Sequence, residues 1–244
     1  QDFAKAEQRF RQFAQEHASH ELAAESAFMV GDSLQKAGKS KEAAIAFEEA
    51  FKKFIPHEQA FLAGLQAARL HARLKLPDDA NRIYTAVEGA FPDRPEHDQL
   101  MNEWALVLYE AQRFREADEL FRRITNEHPD STVADNARFS LAESDLVDGK
   151  VQLARTSFAD LATDTKADAA VQEDSLFRVI GIDADASQWK EVVVTVEQFV
   201  KRFPESRYLS DVQFHRGNAQ LNLNDPADAE TTFSELASRV SEPA

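Results

Sequence analysis

Residues 96–131 read EHDQLMNEWALVLYEAQRFREADELFRRITNEHPDS, and they hold two helical patterns back to back. In the first, Leu100, Trp104, Leu108 and Ala111 recur at spacings of three and four, which puts them on one helix face. Phe114, Ala117, Leu120, Phe121 and Ile124 do the same in the second. Only Gln112-Arg113 separates the two, room for nothing longer than the turn of an antiparallel hairpin. His128-Pro129-Asp130-Ser131 then stops the second helix, because a residue before proline is pushed out of the helical region, and Ser131 is expected to cap a third. One hairpin cannot bury its own apolar faces, so the pattern predicts neighbours of the same kind.

They are present. The small residue Ala117 recurs as Ala6, Ala43, Ala80 and Ala154 at steps of 37, followed by Val192 after 38 and Ala229 after 37. Four residues beyond these stand Phe10, Phe47, Tyr84, Phe121, Phe158, Val196 and Phe233, and twelve before them, from the second copy on, Gly31, Ala68, Ala105, Ala142, Ile180 and Gly217. A fixed period of this length marks a solenoid of stacked helix pairs. Paired helices approach to about 8–10 Å, and the small residues are read as the closest crossing, with room for Gly or Ala on both sides.

These small and aromatic positions, with a proline after Phe91, His128 and Phe203, resemble the tetratricopeptide repeat. The resemblance covers nearly the whole chain: six hairpins near residues 21–57, 58–94, 95–131, 132–168, 169–206 and 207–243, preceded by an unpaired helix over 3–17. It implies an all-α fold, a right-handed superhelix of about six and a half repeats in one domain over 1–244. The 37-residue step exceeds the usual ~34. With the phrases His128-Pro129-Asp130-Ser131 and Phe203-Pro204-Glu205-Ser206, it is similar to the variant of bacterial cell-envelope proteins, the Tol–Pal-associated periplasmic repeat protein and the outer-membrane assembly lipoprotein. Such families bind other proteins and carry out no chemistry. The resemblance therefore implies a periplasmic or envelope scaffold that is not an enzyme, with the cytoplasm as the alternative compartment.

Local signals refine the pairs. Gly38 and Gly149 suit turns, Ser40 and Asp225 suit caps, and Pro77 and Pro226 suit first helical turns. The fifth pair departs most, because Ile180 and Val192 are bulky where Gly or Ala is expected, and the reading predicts a local widening or a change in superhelix angle there. Val192-Val193-Val194-Thr195-Val196 has strand propensity, yet Trp189, Val192, Val196, Phe199 and Phe203 keep the helical register.

Net charge is −15, divided as −1 over residues 1–90 and −14 over 91–244. A solvated acidic surface accounts for this, and nucleic acid is not expected as a partner because its phosphates need a basic stripe. No run reaches the eighteen apolar residues of a membrane span. Zero cysteines exclude disulfides and thiolate sites and sit easily in an oxidising compartment. Gln1 falls inside what reads as the second helix of a pair, and no polar capping helix follows the last pair. The chain is therefore expected to be a fragment of a longer one, or else to self-associate end to end.

In tetratricopeptide arrays the first helix of each pair lines a concave groove, and the resemblance carries positions over residue by residue. The fifth position of that helix holds Phe28, Leu65, Asn102, Phe139, Phe177 and Phe214, and the ninth holds Asp32, Arg69, Leu106, Glu143, Gly181 and Asn218. Arg73 and Tyr109 lie one turn further on. The candidate partner-binding set is Phe28, Arg69, Arg73, Asn102, Tyr109, Phe139, Glu143, Phe177, Phe214 and Asn218, for a protein or peptide partner whose identity the residues do not give. The phenylalanines read equally as packing between neighbouring helices. The co-chaperone type of repeat clamps a C-terminal carboxylate with Lys and Asn; phenylalanines and acids here put that specificity in doubt, and Arg69 with Arg73 form the one paired basic position. No cofactor and no metal are expected. His17 and His20 stand three apart but fit a helix end, and Asp183-Ala184-Asp185 opens like a calcium loop but lacks its glycine and its final carboxylate.

Overall fold

The computed structural model describes residues 2–241 and places among them thirteen α-helices and no strand. They are α1 (Phe3–Glu16), α2 (Ala23–Lys36), α3 (Ser40–Phe54), α4 (Glu58–Arg73), α5 (Pro77–Ala90), α6 (His97–Glu110) and α7 (Phe114–Glu127), then α8 (Ala134–Val147), α9 (Val151–Thr163), α10 (Ala169–Asp185), α11 (Trp189–Arg202), α12 (Leu209–Asn222) and α13 (Pro226–Ser241). Between His128 and Pro129 the chain divides into two compact units. The amino-terminal unit holds α1 and the pairs α2–α3, α4–α5 and α6–α7. The carboxy-terminal unit holds α8–α9, α10–α11 and α12–α13.

One turn joins the helices of all six pairs. At its centre stand Gly38, Lys75, Gln112, Gly149, Ser187 and Asn224, each with φ between 57° and 78°. The N–H of the following residue reaches five residues back, as in Arg113 to the Leu108 carbonyl at 2.9 Å and Lys150 to the Asp145 carbonyl at 2.8 Å. This is the Schellman closure, which satisfies helix-end carbonyls and reverses the chain within three residues. Glycine suits it because a left-handed backbone crowds a Cβ. Lys75, Gln112 and Ser187 adopt it against their preference, so Gln112→Gly is expected to stabilise the amino-terminal unit by about 0.5–1 kcal/mol. Urea unfolding checks this, with the midpoint moving up and the slope unchanged.

At two of the small first-helix positions a ring fills the space beside the glycine. A Cβ on Gly31 would stand 2.6 Å from the Phe47 ring, and one on Gly217 would stand 2.5 Å from the Phe233 ring. In the first and last pairs the small position of the first helix thus receives the aromatic sixteen residues later, and Ala142 with Phe158 share one buried cluster. The fifth pair holds Ile180 and Val196, the one aliphatic in the aromatic series, at these two positions, and both are completely buried in a cluster with Val192, Phe199 and Val212. Trp189–Arg202 is helical throughout, with Val194 turned to solvent.

Two caps also differ from expectation. Ser40 is the first helical residue of α3 rather than its cap. The Ser131 hydroxyl accepts from the Val133 N–H at 3.1 Å and closes a turn ahead of α8, which starts at Ala134.

Neighbouring pairs are tied by ions one repeat apart. In the amino-terminal unit Arg82 holds Glu48, Arg94 holds Glu58 and Arg113 holds Asp78; in the carboxy-terminal unit Arg207 and the Tyr208 hydroxyl hold Asp174. The Arg82 guanidinium, with Lys52, lowers the Glu48 carboxyl to about 2. α1 takes the place of a second helix against α2, its Ala14 carbonyl accepting from Lys53 of α3 at 3.3 Å.

Candidate partner-binding faces

First helices carry every candidate residue, five in each unit. In the amino-terminal unit Phe28 is half-buried and tilts onto the Phe47 ring at 5.1 Å. Arg69 donates through Nε and Nη2 to both oxygens of Glu103, one pair further along, at 2.8 and 2.6 Å. That carboxylate also sits by Tyr84, whose hydroxyl is pushed well above the usual phenol range, chiefly by burial. Trp104 stacks on the same tyrosine and donates to Asn81 at 2.6 Å. Arg69 is thus already engaged, whereas Arg73 is exposed at the end of α4. A clamp made of the two together would first have to open the Arg69–Glu103 pair. Asn102 is half-buried beside Glu103, and Tyr109 packs edge-on against Phe114 at 5.0 Å while keeping 38% of its surface exposed.

The carboxy-terminal unit brings more of the set together. Phe139 meets the buried Phe158 edge-on at 5.1 Å. Phe177 lies flat on Tyr208, 4.2 Å between centroids and 7° between planes. Glu143 of α8 is held by Arg178 of α10 at 2.7 and 2.9 Å, and its half-buried position pushes its carboxyl above the usual range in spite of that partner. Phe214 touches Phe233 at 6.0 Å but stays 53% exposed, and Asn218 is half-buried on the same helix. Three of the four phenylalanines therefore rest on the aromatic of their own second helix, nineteen residues on; Phe177, whose pair has Val196 there, turns to the next first helix instead.

Across α8, α10 and α12 runs an open cleft of about 640 Å³. Leu146, Phe177 and Ile182 give it an apolar floor, and Arg178, Asp185 and His215 stand at its edges. Gly181, at the ninth position of α10, opens it: a Cβ there would meet nothing within 4 Å. Asp185 is exposed and has no ion-pair partner among the described residues. Gly181, Asp185 and His215 stand outside the candidate set, although Gly181 belongs to the ninth-position series, where glycine replaces larger polar or apolar residues.

The calcium-loop reading of Asp183-Ala184-Asp185 has its physical answer nearby. The Asp183 side chain is completely buried and both its oxygens accept from Arg155 of α9, at 2.5 and 2.7 Å. His20, the other metal candidate, packs on Phe13 and accepts from the Leu22 N–H. No helix among the described residues is long and apolar enough to cross a membrane.

Residues 103–131 match the family model of the tetratricopeptide repeat. No curated protein sequence matches the chain. Among solved structures, it resembles a tetratricopeptide repeat protein from Parabacteroides merdae ATCC 43184 at 18% identity and a TM-score of 0.53, over 97% of this chain and 86% of that one. It also resembles PilW, a type IV pilus biogenesis factor, at 14% identity and a TM-score of 0.54, over 92% and 96%. Against the structure of Naa15/Naa10 bound to HypK-THB the TM-score is 0.60 at 15% identity; 96% of this chain is covered, but it spans only 34% of that one. One hairpin is matched by the family model and five more share its register and its turn, so each unit has the fold of stacked tetratricopeptide-like helix pairs.

Proposed function

We propose that the protein is a binding scaffold, not an enzyme, and that the cleft on α8, α10 and α12 receives a segment of another protein. The cleft carries the reading: an apolar floor of about 640 Å³, opened by a glycine and edged by Asp185 and Arg178, has the form of a peptide-anchoring groove. An apolar or aromatic anchor would sit between Leu146 and Phe177, and a basic side chain beside it would answer Asp185. Phe214, exposed at the end of the same face, extends the apolar surface. The compartment we propose is the bacterial cell envelope. The inter-repeat phrases after His128 and Phe203 support it, together with likeness to a pilus biogenesis factor.

Gly181→Leu tests this without touching the core. Nothing stands within 4 Å of the new Cβ, and leucine favours a helix interior over glycine by about 0.5–1 kcal/mol, so the fold should be kept or strengthened. Captured partner should fall at least about tenfold from wild-type levels, with helicity unchanged. Equal capture by both proteins would remove the cleft from the reading. Mass rising with concentration and unaffected by Gly181→Leu would point instead to end-to-end assembly.

A further inference from the structure

Where the third hairpin closes in the amino-terminal unit, His97, Glu127 and His128 each bring a ligand atom to within 4.8 Å of the others. His97 opens α6, Glu127 ends α7 and His128 is the residue that caps it. The two imidazoles meet edge to face, 5.7 Å between centroids. His128 Nε2 is buried with no hydrogen-bond partner, a state that costs about 1–3 kcal/mol for a polar atom cut off from water. His97 Nε2 lies 3.0 Å from a Glu88 carboxylate oxygen. With the proton on that nitrogen, Nδ1 keeps its lone pair, and the carboxylate behind the ring fixes its orientation, as the partners of metal-bound histidines do.

We propose that His97, Glu127 and His128 bind a divalent transition-metal ion of the zinc class, a role that does not depend on the cleft of the other unit. Two imidazoles and one carboxylate suit borderline ions such as zinc, cobalt and nickel, and suit magnesium or calcium poorly. Three protein ligands leave a fourth position for water or for a group from a partner. Donors around a tetrahedral zinc stand about 3.3 Å apart, so spacings of up to 4.8 Å must tighten by no more than about 1.5 Å. The exposed Glu127 side chain can supply most of that movement. One group opposes binding: Arg123 holds Glu127 at 3.2 Å and Glu88 at 2.8 Å, and its positive charge competes with the ion for the same carboxylate. The opposition gives the site a signature that a structural histidine pair lacks, since taking the cation away should strengthen metal binding.

Titration calorimetry of the full chain with zinc chloride, paired with the visible absorption of the cobalt-loaded protein, tests the proposal. One ion should bind per chain, with cobalt bands of a low-coordinate site. His97→Ala, His128→Ala and Glu127→Gln should each weaken binding about tenfold or more, and Arg123→Gln should tighten it. Glu127 is exposed, so Glu127→Gln keeps the test informative if a histidine variant misfolds. No saturable binding to wild type would overturn the proposal. So would binding that survives all three ligand variants, or that disappears in His17→Ala/His20→Ala.

Discussion

Arg155→Met is expected to destabilise the carboxy-terminal unit by about 3–5 kcal/mol, the range for removing one partner of a buried ion pair. Asp183 has no exposed side-chain surface, and Arg155 supplies both donors to its carboxylate. Without the guanidinium the carboxylate must stay charged in an apolar setting beside Val179 and Ile182, or take up a proton. Replacing both together, Arg155→Met with Asp183→Leu, should recover most of the loss, because two apolar side chains leave nothing unpaired. Chemical unfolding followed in both variants decides it. A single-variant loss under about 1 kcal/mol would show that water reaches Asp183 once Arg155 is gone.

Phe158→Ala should cost a similar amount, about 3–5 kcal/mol, through the cavity it leaves among Ala142, Ala154, Val179 and Ile182. Its ring is wholly buried and also supports Phe139 on the candidate partner-binding face. Phe214→Ser makes the contrast: more than half exposed, it should shift stability by no more than about 0.5 kcal/mol. Measured side by side, the pair separates aromatics that hold the hairpin together from the one offered to solvent. Equal losses would mean that Phe214 belongs to the core.

Helix pairs were legible because each has local punctuation. Ser40–Phe54 and Pro77–Ala90 begin and end where the residues place them, since Gly38 and Pro77 act through their own backbones. Ser40 and Ser131 misled because a hydroxyl can close a turn one or more residues away from a helix start, and the spacing alone does not separate these uses. At the fifth pair periodicity assigns Ile180, Val192 and Val196 to buried faces, and all three are buried in one cluster, but which residue of one helix meets which of the other depends on the crossing and does not follow from spacing. Arg69 and Glu103, 34 residues apart, were within reach of the repeat period, because pairs of nearly the same separation also tie Arg82 to Glu48 and Arg113 to Asp78. Asp183 was not. Its burial follows from where Arg155 enters from a helix 28 residues earlier, a distance that matches no spacing in the chain.

The sixteen-residue match between small and large positions has a further consequence for how such a chain can change. Gly31 and Phe47, or Gly217 and Phe233, leave no room for either partner to grow alone, whereas the same two positions of the fifth pair hold Ile180 and Val196, both buried in one cluster. Each hairpin therefore carries a two-part lock inherited as a unit: enlargement on one side is rejected until the other side shrinks. Because both halves lie within one hairpin, a repeat can be duplicated or moved with its lock intact, and the tally of hairpins can drift while the joint inside each stays fixed.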